Sequence, residues 1–170
     1  MKKLIPALLI AACGAAMAAD NAQLDKKDRS FMEKAAAGGM LEVEAGKMAE
    51  SKAQNADVKS FGSMLNTDHS AANQELMSLA QKKGVALPTA LPKKDQKKLD
   101  KMAKAKDFDK TFIHEQGIED HKHDIKDFQK ASKDAKDPDV KAFAAKTLPT
   151  LQKHLQRAQE IDKSMKGKKA

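Results

Sequence analysis

The stretch from Phe61 to Leu79 does most to limit what this chain can fold into. Phe61, Leu65, Ala72, Leu76 and Leu79 recur at three- and four-residue steps, the period of an amphipathic helix. Asp68 and His69 interrupt that apolar stripe near its middle. Three other long stretches show the same pattern, each carrying Glu or His into its apolar face at about mid-length. Four stripes of this kind have to bury themselves against one another, and their polar residues go in with them.

Helix one is expected from about Asp28 to Asn55, with Phe31, Ala35, Gly38, Glu42, Ala45, Ala49 and Ala53 on one face. Glu42 is central in that face. The Gly38-Gly39 pair costs helix propensity, about 1 kcal/mol each, which points either to a close neighbouring helix or to a local kink. Helix two follows a short turn at Asn55 to Asp57 and ends near Lys83, with Gly84 as its C-cap. Helix three, from about Asp109 to Ala135, turns His114, Gly117, Ile118, His121, Ile125 and Phe128 inward. Asp137-Pro138 starts helix four, which runs to about Ser164 with Val140, Phe143, Ala144, Thr147, Leu151, His154, Ala158 and Ile161 inward. Pro149 should kink it near Thr147-Leu148.

The fold class is therefore all-α: a four-helix bundle over residues 27–165, with a basic tail at 166–170. Its middle connection is long enough to travel the length of the bundle. That permits a ferritin-like arrangement with helices two and three parallel, and leaves simple up-and-down winding open. Pro88 and Pro92 break the first part of this connection. Residues 93–106, with seven lysines and two aspartates, read foremost as a solvated basic connector, and alternatively as a short surface helix docking Leu99 and Met102.

Residues 1–18 read as a signal peptide. Lys2 and Lys3 precede an apolar run from Leu4 to Ala12, and Ala16-Met17-Ala18 is a small-x-small cleavage site. A loose segment, 19–26, would follow. Ile10-Ala11-Ala12-Cys13 also resembles a lipobox, in which Cys13 would be acylated and anchor the protein to lipid. Cleavage after Ala18 would remove the only cysteine, and with it any disulfide or thiolate metal site. It would also lower the formal charge of +8 by the two lysines. Export makes nucleic acid an improbable partner, whereas anionic lipids or cell-wall polymers at residues 93–106 are available ones.

Depth brings the polar positions together. Glu42 lies 13 residues before Asn55 and Asp68 lies 13 after it, so both sit about 20 Å from that turn. His121 and His154 are spaced equally about residues 137–138, so Glu42, Asp68, His69, His121 and His154 share one level if the topology is ferritin-like. His114 reads as a core or pore-end histidine rather than a ligand.

The segments 31–53, 58–76, FDKTFIHEQGIEDH (108–121) and LPTLQKHLQRA (148–158) resemble the exported bacterial proteins catalogued as domain of unknown function 4142, placed among ferritin-like folds. The resemblance implies the bundle and export, and supplies no established activity. It marks Glu42, Asp68, His69, His121 and His154 as the positions that matter.

Two readings of that layer stay open. Ferritin-like di-iron sites need Glu-x-x-His on two helices, but Asn66 and Leu151 occupy the residues three before His69 and His154. Glu42, His69, His121 and His154 would better suit one zinc or copper ion, with Asp68 orienting a ligand and His114 an accessory of the layer. Alternatively the layer is structural, with histidines satisfying a buried Glu in a non-enzymatic envelope or stress-related accessory protein. No phosphate loop, nucleophile elbow or haem-attachment motif is present in the sequence.

Overall fold

The computed structural model describes residues 24–167. The expected leader at 1–18, the lipobox ending at Cys13, most of the 19–26 segment and the end of the basic tail lie outside the described residues. The order is α1 (Lys26–Lys52), α2 (Ala56–Lys83), α3 (Lys93–Ala103), α4 (Phe108–Phe112), a π-helical segment (Ile113–Asp120), α5 (His121–Asp134) and α6 (Pro138–Gly167). Among the described residues there is no strand, and no helix is long and apolar enough to cross a membrane.

Local chemistry sets the ends of these helices. Asp25, Asn55, Asp107 and Asp137 each accept a hydrogen bond from a backbone N–H of the first turn that follows. Gly84 ends α2 in the left-handed conformation (φ 64°), and Val85 N–H then donates to the Ala80 carbonyl. Pro138 occupies the first turn of α6, where a missing N–H costs nothing. Pro149 lies inside α6, which continues through it without a break.

Two carboxylates tie the chain into its topology. Asp109, at the start of α4, accepts from the N–H groups of Gln54 and Asn55 in the α1–α2 turn, the latter at 2.7 Å. Asp28, at the start of α1, accepts from the N–H groups of Lys136 and Asp137 in the α5–α6 turn, at 2.9 and 2.8 Å. Thus α2 and the α4–α5 run begin at the same end and lie parallel, and residues 84–107 travel the length of the bundle. Within that connection α3 docks: Leu99 and Met102 are buried while Lys93, Lys94, Lys97 and Lys101 face solvent. The expectation of a plain solvated connector is corrected accordingly, because two apolar residues three apart suffice to seat one helical face.

The core is two apolar clusters with polar side chains between them. One gathers Phe61, Leu65, Met102, Phe112 and Ile161; the other gathers Met32, Leu76, Phe128, Val140 and Leu151. The inward faces of helices two and four run largely as expected. In the first half of α1 the buried residues are Met32, Ala36 and Gly39 rather than Phe31, Ala35 and Gly38, so the face is rotated by one residue.

Close approach of α1 and α2 depends on glycines. A Cβ at Gly46 would lie 2.6 Å from the Gly62 carbonyl oxygen, and one at Gly62 would lie 2.6 Å from Ala49 Cβ. Of the Gly38-Gly39 pair, Gly39 packs tightly against Asn73, whereas Gly38 has its nearest neighbour, an Asp124 oxygen, at 3.9 Å. Gly62→Ala should therefore lose about 1–3 kcal/mol by overpacking. Gly38→Ala has room for its methyl and should hold or gain stability, by up to about 1 kcal/mol. Urea unfolding of the two variants checks this, and equal effects would refute the assigned crossing point.

Candidate metal centre

His69 from α2, His121 from the junction of the π-helical segment with α5, and His154 from α6 meet between the two apolar clusters. Each offers a ring nitrogen, and these three atoms lie within 4.8 Å of one another. His121 and His154 are fully buried and His69 nearly so. Phe61 closes one side, with its ring edge-on to His154 at 6.3 Å. Gly117 lets the π-helical segment settle against α6, since a Cβ there would meet Ala158 Cβ at 2.7 Å.

Hydrogen-bond partners determine where the ring protons sit. His121 Nδ1 is 2.8 Å from the Gln116 carbonyl oxygen, which can only accept. Nδ1 therefore carries the proton, and Nε2 of the neutral ring is a bare lone pair. His154 Nε2 is 2.9 Å from Asp68 Oδ2, so it donates to that carboxylate and leaves Nδ1 bare. These two bare nitrogens face each other at 3.1 Å. His69 Nε2 is buried close by without a hydrogen bond. If His154 adopted the other tautomer, its bare nitrogen would face the Asp68 carboxylate instead. One repulsive contact persists in either neutral arrangement, and a cation placed between the rings would remove it.

A proton is the weaker of the available cations. Burial lowers His121 to a pKa of about 4, with neighbouring His154 adding to the effect against the Gln116 hydrogen bond. Burial also holds His69 well below its ordinary value, reinforced by the other two rings. His154 is lowered by burial against the pull of Asp68. The site is thus a set of unprotonated nitrogens at neutral pH. Nitrogen donors of this kind suit copper or zinc, which bind imidazole at about 2.0–2.1 Å for zinc. The Asp68–His154 hydrogen bond is of the kind by which a carboxylate orients an imidazole at metal sites. Asp68 is 40% exposed, which connects the cluster to solvent between α2 and α6.

The expected residues do not all converge. Asp68 stands where an orienting carboxylate should. Glu42 reaches the layer, fully buried, but on the far side of His121: its Oε1 is 3.8 Å from Nδ1, the nitrogen turned away from the cluster. It is therefore corrected from a fourth donor to a neighbour of the cluster. Burial, followed by Asp124 and Asp120, holds its carboxyl well above the usual range.

His114 is also corrected, from inward to exposed. Seven residues keep one face in an α-helix, but the π-helical segment turns through a smaller angle per residue and carries His114 outward. Asn66 and Leu151 serve packing instead of the layer. Asn66 donates to Glu50 at the α1–α2 crossing, and Leu151 is in the apolar core.

Gln116 was missed. Its carbonyl orients His121, and its buried amide has no hydrogen bond. Its spacing of five from His121 belongs to no α-helical stripe, so only a π-helix could have revealed it.

Three solved structures with a similar fold are two copper-bound forms of one protein and a fragment of another. CopM in the Cu(I)-bound form matches with a TM-score of 0.69 at 18% identity, covering 81% of this chain and 96% of that one. CopM in the Cu(II)-bound form gives 0.66 at 16%, covering 81% and 97%. A DUF305 fragment from Deinococcus radiodurans gives 0.71 at 9%, covering 83% and 98%. No curated protein matches the chain in sequence. The family model described as a domain of unknown function, DUF4142, matches residues 13–161, and the chain belongs to that family.

Proposed function

We propose that this protein binds a single copper or zinc ion through His69, His121 and His154, with Asp68 and the Gln116 carbonyl orienting two of the rings. The observation that carries the reading is the pair of bare nitrogens 3.1 Å apart in a dry layer, with a third unpartnered nitrogen beside them. A purely structural layer would place a donor against an acceptor at that contact. Copper is the first metal to test, because one protein of similar fold, CopM, has been solved in two copper-bound forms. A bound ion would supply positive charge to three nitrogens that otherwise repel; the protein's part is to present them unprotonated, oriented and shielded from bulk water.

The parallel central helices and the long crossover support a ferritin-like bundle. The Lys2-Lys3 start, the apolar run to Ala12 and the Ala16-Met17-Ala18 site support export to the periplasm, with anchoring through Cys13 as the alternative. The outward lysines of α3 would then face anionic envelope polymers or lipids.

Titration of the full chain with Cu(I), and separately with Zn(II), under competition from a chelator should give one ion per chain. His154→Ala should weaken binding by at least a hundredfold while the protein remains helical. A folded wild-type protein that takes up neither ion would leave the layer structural, with His154→Ala costing only stability, about 1–3 kcal/mol.

Proton competition supplies an independent check. A depressed folded-state pKa keeps each imidazole free for metal at pH values where an ordinary one is protonated. Three histidines of pKa about 6.5 would lose affinity by tens of fold between pH 7.5 and 6. Here the loss over that interval should be smaller, with affinity collapsing as pH approaches 4, where His121 takes up a proton. Chelator competition repeated across pH measures this.

A further inference from the structure

Behind His121 the bundle opens into a cleft of about 430 Å³ between α1, α3 and α5, and Glu42 lies at its floor. Both Glu42 oxygens are buried without a hydrogen bond. The Gln116 amide, a polar side chain that could serve them, approaches Glu42 without reaching hydrogen-bond geometry. The imidazole nitrogen nearest to Glu42, His121 Nδ1, has its proton committed to the Gln116 carbonyl. A fully buried carboxylate left in this condition is costly unless a positive charge or a proton joins it.

The cleft is built to attract the positive charge. Six carboxylates line it against three lysines, on a chain whose overall formal charge is +8. Of those lysines, Lys98 is committed to Asp120 at 2.6 Å, and Lys34 and Lys94 are exposed at the rim. Asp124 reaches in from α5 beside Gly38, one turn before Glu42 on α1: its Oδ2 would lie 3.9 Å from a Cβ at that glycine. The cleft is open to solvent and roomy enough for a cation that keeps part of its hydration shell.

We propose that this cleft ends in a second cation site, distinct in chemistry from the imidazole cluster, in which Glu42 and Asp124 hold a hard divalent cation through carboxylate oxygens. Cations of this class prefer oxygen donors and are commonly held by one or two carboxylates with the remaining positions filled by water. The His121 ring separates the two sites: Nε2 belongs to the nitrogen cluster, and Nδ1 faces Glu42. The second site stands whether or not the first binds copper.

Mn(II) is the probe, and its free concentration can be followed by electron paramagnetic resonance in the presence of the full chain. One Mn(II) per chain is expected, with affinity reduced at least tenfold in Glu42→Gln and in Asp124→Asn and unchanged in His69→Ala. Both amide variants keep the side-chain shape, so both should fold, as far-ultraviolet circular dichroism would verify. Mn(II) should also raise the melting temperature of the wild type and not that of either variant. A folded wild-type chain that binds no Mn(II), binding that survives both amide substitutions, or binding abolished by His69→Ala would each overturn the proposal.

Discussion

Two imidazole nitrogens that both lack a proton, held 3.1 Å apart, are the constraint around which this bundle is arranged. Neither ring can turn to relieve the contact without giving up a good hydrogen bond, His121 to the Gln116 carbonyl and His154 to Asp68. The apolar clusters above and below limit solvent access to the layer to the side where Asp68 lies. Burial also weakens the simplest remedy, a shared proton, because a charged imidazolium is poorly solvated there. A metal ion, as proposed above, would satisfy all three histidines at once.

The backbone contributes as much as the side chains. Eight residues of π-helix precede His121, and π-helical turns recur at functional sites. Here the widened turn does two things together. It brings the Gln116 carbonyl, five residues back, to His121 Nδ1, and it moves His114 from the layer to the surface. The same ring then has two differently occupied faces, one toward the nitrogen cluster and one toward Glu42 in the acidic cleft. Glycines allow the helices to come this close: Gly46 and Gly62 bring α1 and α2 together, and Gly117 brings the π-helical segment against α6.

Much of this was legible in the residue pattern because helix periodicity and helix caps are local. The four apolar stripes, Gly84 as a C-cap, the Asp137-Pro138 start and the mid-level convergence of Glu42, Asp68, His69, His121 and His154 all follow from spacing along an α-helix. The misplacements have one common source. His114, Gln116 and the side of His121 on which Glu42 lies depend on a stretch that is not α-helical, and α-helical arithmetic fails there. The docking of α3 was underweighted because seven lysines mask the two residues, Leu99 and Met102, that seat it.

The amino-acid sequence by itself determined that this chain is helical, that its helices must pack stripe to stripe, and that histidines and carboxylates are buried at mid-length with them. Only the tertiary structure decided which atoms those side chains present to one another. The His154 tautomer follows from Asp68 on another helix, and the place of Glu42 behind His121 rather than in the nitrogen cluster follows from how α1 packs against the π-helical segment and α5. Spacing sets height along a helix axis, whereas orientation about that axis is set by neighbours far away in the chain.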